Sequence, residues 1–186
     1  MIYESIVTTC NPDGSMHPAP LGIHWQVDTL IIAPFCPCRT LDNLTHTSQA
    51  VINFCDDVRL FAGCLTGRRD WSSRSATTIQ GYVLSVALSH LEVQVVKVEA
   101  DEVRPRFYCK VVHEATHAPF RGFNRAQAAV IEGAILISRL AFLPLNKVQQ
   151  ELDYLKIAIE KTAGEREQEA WQWLMEKYNA FLMENV

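Results

Sequence analysis

The chain lacks several features that would assign it at once. It has no basic excess: its 186 residues carry 17 Lys and Arg against 21 Asp and Glu, a formal charge of -4. Nucleic-acid binders usually gather positive charge on one face, so no nucleic-acid partner is expected. No apolar run approaches the roughly 18 residues that cross a bilayer. The longest candidate, 126–143, is broken by Gln127, Glu132, Ser138 and Arg139. The first five residues show no basic start followed by an apolar block. The expectation is a soluble, cytoplasmic protein with no membrane partner. No G-x-G-x-x-G opens a helix, and 63–69 has neither the spacing nor the lysine of a phosphate loop, which argues against a Rossmann fold. Internal repeats and low-complexity stretches are absent too.

Six cysteines are present, but no C-x-x-C pair. Reduced thiols are expected in a cytoplasmic chain. Cys55 and Cys109 sit in apolar runs and read as core residues, and Cys36-Pro37-Cys38 is not a redox or zinc spacing.

What is there reads as one globular domain, or one domain with a helical appendage. Hydrophobic residues make up 48% and charged residues 20%, both ordinary values that allow a substantial core. The first half alternates like short strands. Candidates are 3–9, 16–27 and 29–34, with Asn11-Pro12-Asp13-Gly14 placing Pro and Gly where a tight turn wants them. They form a meander. A first helix is expected over 39–48, a strand over 50–55, a short helix over 60–67 and a polar loop over 68–75. Strands follow at 91–100, where Val96 breaks the alternation, and at 106–113. About six strands suffice for a small closed barrel. The last third is helical: 125–142 behind Asn124 as N-cap, 147–163 closed by Gly164, and 165–184.

His113-Glu114-Ala115-Thr116-His117 matches H-E-x-x-H, which on a helix binds zinc and supplies a general base. The run before it is strand-like, Pro119 would cut a helix short, and no third ligand follows in sequence. A zinc hydrolase is therefore a minor alternative, and no metal is assigned.

Three segments invite a ligand. His17-Pro18-Ala19-Pro20-Leu21-Gly22-Ile23-His24-Trp25 carries two prolines and a glycine in a strand, which suits a bulge whose backbone approaches a flat molecule. An ordinary edge strand with prolines is the plainer reading. Cys38-Arg39-Thr40-Leu41-Asp42-Asn43 places a guanidinium, a hydroxyl and first-turn amides at a helix start, the elements of a phosphate site. Arg121 and Arg125 flank another helix start at Asn124. They sit there against the dipole, so an anion or protein carboxylates would be their partners.

These residues carry a resemblance. Ile6-Val7-Thr8-Thr9, Asp13-Gly14, Ala19-Pro20-Leu21-Gly22-Ile23, Arg39-Thr40-Leu41-Asp42-Asn43 and Val51-Ile52-Asn53-Phe54 follow in the order seen in the flavin reductase-like, FMN-binding split-barrel superfamily. With Gly122-Phe123-Asn124-Arg125-Ala126 and Ile131-Glu132, the whole chain looks closest to one family within it. That family occurs in methanogens and in bacteria with tetrahydromethanopterin-linked one-carbon metabolism.

The resemblance implies an α+β fold with a mainly β core: a split β-barrel domain over 1–120 and a helical segment over 121–186 packed on the barrel or on a partner. It also implies a homodimer holding FMN. Ala19, Pro20, Leu21, Gly22 and Ile23 would line the isoalloxazine. Thr40 and Asn43 would meet the phosphate or ribityl chain and Arg39 would add charge, with Arg121, Asn124 and Arg125 as further candidates.

Gly22 stands where flavin reductases of this superfamily usually carry a serine, which weakens the case for reductase activity more than the case for FMN. The expected function is an FMN oxidoreductase taking hydride from NAD(P)H, with His24 as the only side chain singled out for proton chemistry. His17 and His46 read as ordinary surface residues. A flavin-binding accessory protein of one-carbon metabolism is the alternative.

Overall fold

The computed structural model describes residues 1–26 and 29–184. Val27, placed in a strand by the sequence pattern, lies outside them. The chain divides into two compact units, one formed by Met1–Cys55 with Arg69–Phe120, the other by Asp56–Arg68 with Arg121–Val186.

The first unit is a closed antiparallel barrel in the order β1-β2-β3-β8-β7-β4. The strands are β1 Ile2–Cys10, β2 Met16–Gln26, β3 Thr29–Ile32, β4 Gln49–Phe54, β7 Ser89–Glu99 and β8 Arg106–Thr116. The β1-β2 connection is the turn that its residues dictate. Gly14 N–H donates to Asn11 O at 2.9 Å. Gly14 also adopts a positive φ (φ 83), a conformation that glycine takes without strain. Inside the barrel, Val7, Ile23, Leu30, Ile32, Ala50, Ile52, Leu91, Val93, Phe107 and Cys109 form one apolar core. Helix α1 (Arg39–Thr47) adds Leu44 to it. Burial pushes the Cys109 thiol up to about 12, so it stays an inert core thiol.

The segment 68–75, expected as loop throughout, ends in β5 (Ser73–Ser75), which pairs with β6 (Tyr82–Leu84). The hairpin lacks apolar alternation in β5, which hid it. Val83 and Leu84 of β6 are buried, and polar bonds add to their contact with the barrel. Asn53 Oδ1 accepts from Leu84 N–H at 2.9 Å, and Asn53 Nδ2 donates to Ile6 O at 3.0 Å. The break in alternation at Val96 is a β-bulge, the register stepping from Val95↔Cys109 to Lys97↔Tyr108. A second step, from Glu92↔His113 to Val93↔Val111, leaves Val112 as the extra residue.

The second unit is helical: α2 (Arg59–Leu65), α3 (Arg125–Ser138), α4 (Leu145–Thr162) and α5 (Glu165–Glu184). Residues 56–68, expected with the barrel, pack with these helices because Leu60, Phe61 and Ala62 bury there. Helix α3 packs against the other three. It ends at Ser138, short of the expected 142, and Pro144 opens α4 as its N-cap. Gly133 lets α5 approach, since a Cβ there would lie 2.9 Å from Trp171 Cζ3. No described helix is long and apolar enough to cross a membrane.

Candidate functional site

A basic cluster forms where the β1-β2 turn meets the start of α1. Asn11, Pro12, Asp13 and Arg39 line an open cavity of about 240 Å³. Arg69 joins from the segment after α2, its Nη1 lying 3.4 Å from His17 Nδ1. Burial first, then the charges of Arg69 and Arg39, push the His17 pKa below its ordinary value. Among the described residues, no carboxylate comes within 4 Å of either arginine. His17 is thus part of the cluster rather than an ordinary surface residue. Arg69 was not singled out from sequence because its segment reads only as a polar loop.

Cys38 caps α1, its Sγ accepting from Leu41 N–H at 3.4 Å. The amides of Arg39 and Thr40 precede the first intrahelical bond and so suit an anion. Thr40 and Asn43 are buried. Asn43 donates to Thr9 Oγ1 and to Asn11 Oδ1, both at 3.0 Å, which ties the turn to the helix. Both of its amide protons are spent inside the fold.

The expected bulge in β2 is absent on the β1 side. The register runs without a shift from Ile2↔His24 to Cys10↔Met16. The prolines are accommodated by phase instead. Trp25 N–H donates to Met1 O at 2.9 Å, and the Met1 amino group donates back to Trp25 O at 3.3 Å. In an antiparallel pair this exchange recurs at every second residue, so odd-numbered β2 residues bond to β1. Pro18, Pro20 and Gly22 therefore turn their backbone groups to the other edge. That edge meets β3 only at His24, Trp25 and Gln26. A proline there costs no ladder bond. The stretch 18–22 thus offers carbonyls and the Gly22 amide along an open edge.

A Cβ at Gly22 would lie 2.8 Å from Ile2 Cγ2, so in this chain a serine would collide with β1's side chain. Ile23 is fully buried, while Ala19, Pro20 and Leu21 are half-buried. His24 is half-buried, and burial with Arg104 and Arg106 holds it below its ordinary pKa, so it is neutral at pH 7.

Arg121, Asn124 and Arg125 belong to the helical unit. Asn124 Oδ1 accepts from Ala126 N–H at 2.7 Å and its Nδ2 donates to Thr162 O at 3.1 Å. Its side chain is an N-cap that also joins two helices. Arg121 and Arg125 are exposed, and neither pairs with a carboxylate within 4 Å among the described residues.

The H-E-x-x-H residues lie on β8 and just past it, as the strand reading requires. The sequence reading missed their company. His90 and Glu92, both buried on β7, stand opposite Ala115 and His113. Glu92 accepts from the amides of Thr77, Thr78 and Ile79 at 2.6, 2.6 and 3.0 Å. Burial, the strongest influence, works to raise its pKa, but these amides and His90 together outweigh it and the carboxyl stays below its usual range. No spacing in the sequence could signal this cluster, because a bulged register assembles it.

The comparisons bear on both units. The chain has the FMN-binding split-barrel fold. Over 95% of its length and 94% of the other chain it superposes on FMN-bound MM1853 from Methanosarcina mazei, with TM-score 0.82 and 16% identity. The 2-nitrobenzoate 2-nitroreductase NbaA of Pseudomonas fluorescens matches 61% of this chain and 64% of its own, with TM-score 0.53 and 20% identity. The NADH:FAD oxidoreductase SgcE6 of Streptomyces globisporus matches 61% and 75%, with TM-score 0.51 and 11% identity. No curated protein sequence matches. Two family descriptions match successive parts of the chain, the DUF447 N-terminal domain over 3–118 and the second DUF447 region, again a protein of unknown function, over 124–176. The chain therefore belongs to the DUF447 family.

Proposed function

We propose that this chain binds FMN on the barrel unit and works as an oxidoreductase that takes hydride from a reduced nicotinamide and passes it to a small acceptor. The observation that carries the reading is the pairing of two features on one strand. His17, at the start of β2, belongs to a cationic cluster with Arg39 and Arg69 that no carboxylate within 4 Å neutralises. Pro20, further along the same strand, lies on the open backbone edge. At the rise of a β-strand the two are roughly 10 Å apart. A phosphate at one end and a planar ring at the other fit those residues.

Arg39, Arg69, Thr40 and the first-turn amides of α1 would hold the phosphate by charge-assisted hydrogen bonds. Ala19 to Gly22 would face the ring, with the Gly22 N–H and neighbouring carbonyls meeting its polar rim and Ile23 anchoring the strand in the barrel core. Asn43 positions the turn rather than the ligand. FMN, when bound, supplies hydride transfer, and the protein orients it and sets its surroundings. His24, neutral at pH 7, is the side chain proposed to move a proton near that edge.

Exposed Tyr3 and Trp25 form an aromatic patch at one end of the β1-β2 pair, edge to face with one another and with Trp25 stacked on Phe54. The patch supports a homodimer.

A second reading, a flavin-binding accessory protein without turnover, is favoured by Gly22, which offers no hydroxyl. The absorption spectrum of the purified protein decides whether a flavin is held, and NADH and NADPH oxidation decides between the readings. A colourless protein that takes up no FMN on titration would refute both.

A further inference from the structure

A separate cluster on the barrel unit gathers three histidines around one buried carboxylate. His90 Nδ1 lies 2.8 Å from His117 Nε2, and Arg74 Nη2 lies 3.3 and 2.9 Å from the two ring nitrogens of His117. On its other side His90 Nε2 faces Glu92 Oε1 at 3.4 Å. His90 and Glu92 are both almost fully buried. Either a proton on Nε2 or a metal ion can bridge that nitrogen and the carboxylate.

The distance favours a metal over a proton. A charge-assisted N–H···O⁻ bond spans about 2.7–2.9 Å. Two ligand atoms each about 2.0–2.1 Å from a tetrahedral zinc-class ion lie roughly 3.3–3.4 Å apart. The observed 3.4 Å matches the second. His113 supplies a third donor: ligand atoms of His90, Glu92 and His113 all lie within 4.8 Å of one another. The bulge at Val112 sets His113 directly opposite Glu92, a device strands use to re-aim a side chain. The outer shell is also in place. His90 is oriented by His117, and Glu92 is held by three backbone amides, the kind of support that metal ligands have.

We propose that His90 Nε2, Glu92 Oε1 and a ring nitrogen of His113 bind a divalent transition-metal ion of the zinc class. The donor set, two imidazoles and a carboxylate, suits Zn²⁺, Co²⁺ or Ni²⁺. Three protein ligands leave a fourth position, which the half-buried His113 side opens to water or to an anionic group. The site shares only His113 with the H-E-x-x-H run, on a strand rather than a helix, and its other two ligands come from β7. It also stands independently of the flavin reading.

The test is a Co²⁺ titration of the full chain after chelator treatment, read by visible absorption, with displacement by Zn²⁺. The wild type should take up one ion per chain and develop the ligand-field bands of a four-coordinate N/O site. His113→Gln should lose them while keeping its far-ultraviolet circular dichroism. His113→Cys should keep the ion and add a thiolate-to-cobalt charge-transfer band. No uptake by the folded wild type would overturn the proposal. So would unchanged uptake in His113→Gln, or a thiolate band already present in the wild type, which would move the metal to the cysteines.

Discussion

Two groups of charges, one in each unit, are treated in opposite ways. Around Asp57 in the helical unit they are spent on architecture, while Arg121 and Arg125 of that unit stay exposed without a carboxylate within 4 Å among the described residues. Asp57, 2% exposed, takes Arg59 in a two-pronged pair, with Arg166 3.8 Å away, and Arg59 also reaches Glu169 at 3.0 Å. Glu167 accepts from Gly164 N–H at 2.9 Å, capping α5. That contact, rather than the left-handed glycine expected at 164, shapes the end of α4, since Gly164 has no positive φ. In the barrel unit, Arg39 and Arg69 have no carboxylate within 4 Å among the described residues, although Asp13 lines the same cavity as Arg39 and feels its charge, and Arg69 reaches the cluster through His17. Charges that close on one another stabilise a fold, while a cationic group left open is available to an anion. On this contrast rests the proposal that the barrel carries the ligand chemistry.

The contrast can be broken by substitution. Arg59→Ala leaves the buried Asp57 carboxylate with only the residue-59 amide and the distant Arg166, and should destabilise the protein by about 3 kcal/mol, the low end for breaking a buried pair. Chemical denaturation would report that loss, and FMN affinity should not change. Arg39→Ala and Arg69→Ala should do the reverse, each weakening FMN binding by about 1.5–3 kcal/mol, roughly 10- to 150-fold, with little loss of stability. Loss of stability without loss of affinity would remove the arginines from the site. A smaller effect is expected from Asn124→Ala, about 1 kcal/mol of stability through the lost α3 cap, measured by thermal melting.

His17 sharpens the comparison through pH. Its pKa in the folded protein is depressed, so the unfolded chain binds the proton more readily. The stability it contributes is present above the ordinary histidine value of about 6.5 and is lost as pH falls below it. A phosphate between Arg39 and Arg69 should offset the part of the depression that their charges cause, leaving the larger part due to burial. The imidazole NMR signal of His17 should titrate at higher pH once FMN or inorganic phosphate is added. A titration that ignores both would place the anion elsewhere.

Much of the fold was legible in the sequence because local rules and tertiary packing agree there. Asn11 to Gly14 could only turn, the alternation in β7 marked a strand, and the one residue out of phase, Val96, became a bulge. The hairpin of β5 and β6 was not legible. Only Val83 and Leu84 of β6 bury apolar side chains, and the rest is stitched by Asn53 and Thr8, so three-residue strands with a polar β5 leave no periodic trace. Half of the basic cluster could be read, since Arg39 and Thr40 start a helix. Arg69 arrives from a loop beyond β4 and α2, and only the folded chain brings it to His17. The prolines of β2 do not mark the expected bulge on the β1 side: they sit in phase on an open edge. His90 and Glu92 carried no signal at all, because their partners are set by two steps in strand register.

The central claim is that the barrel's open cations recognise a flavin through its phosphate. Fluorescence titration of the wild type and the Arg39→Ala/Arg69→Ala double variant, each with FMN and with riboflavin, tests it directly. The account predicts that the wild type prefers FMN strongly and that the double variant binds the two flavins alike. Equal affinity of the wild type for FMN and riboflavin, or an undiminished FMN preference in the double variant, would contradict it.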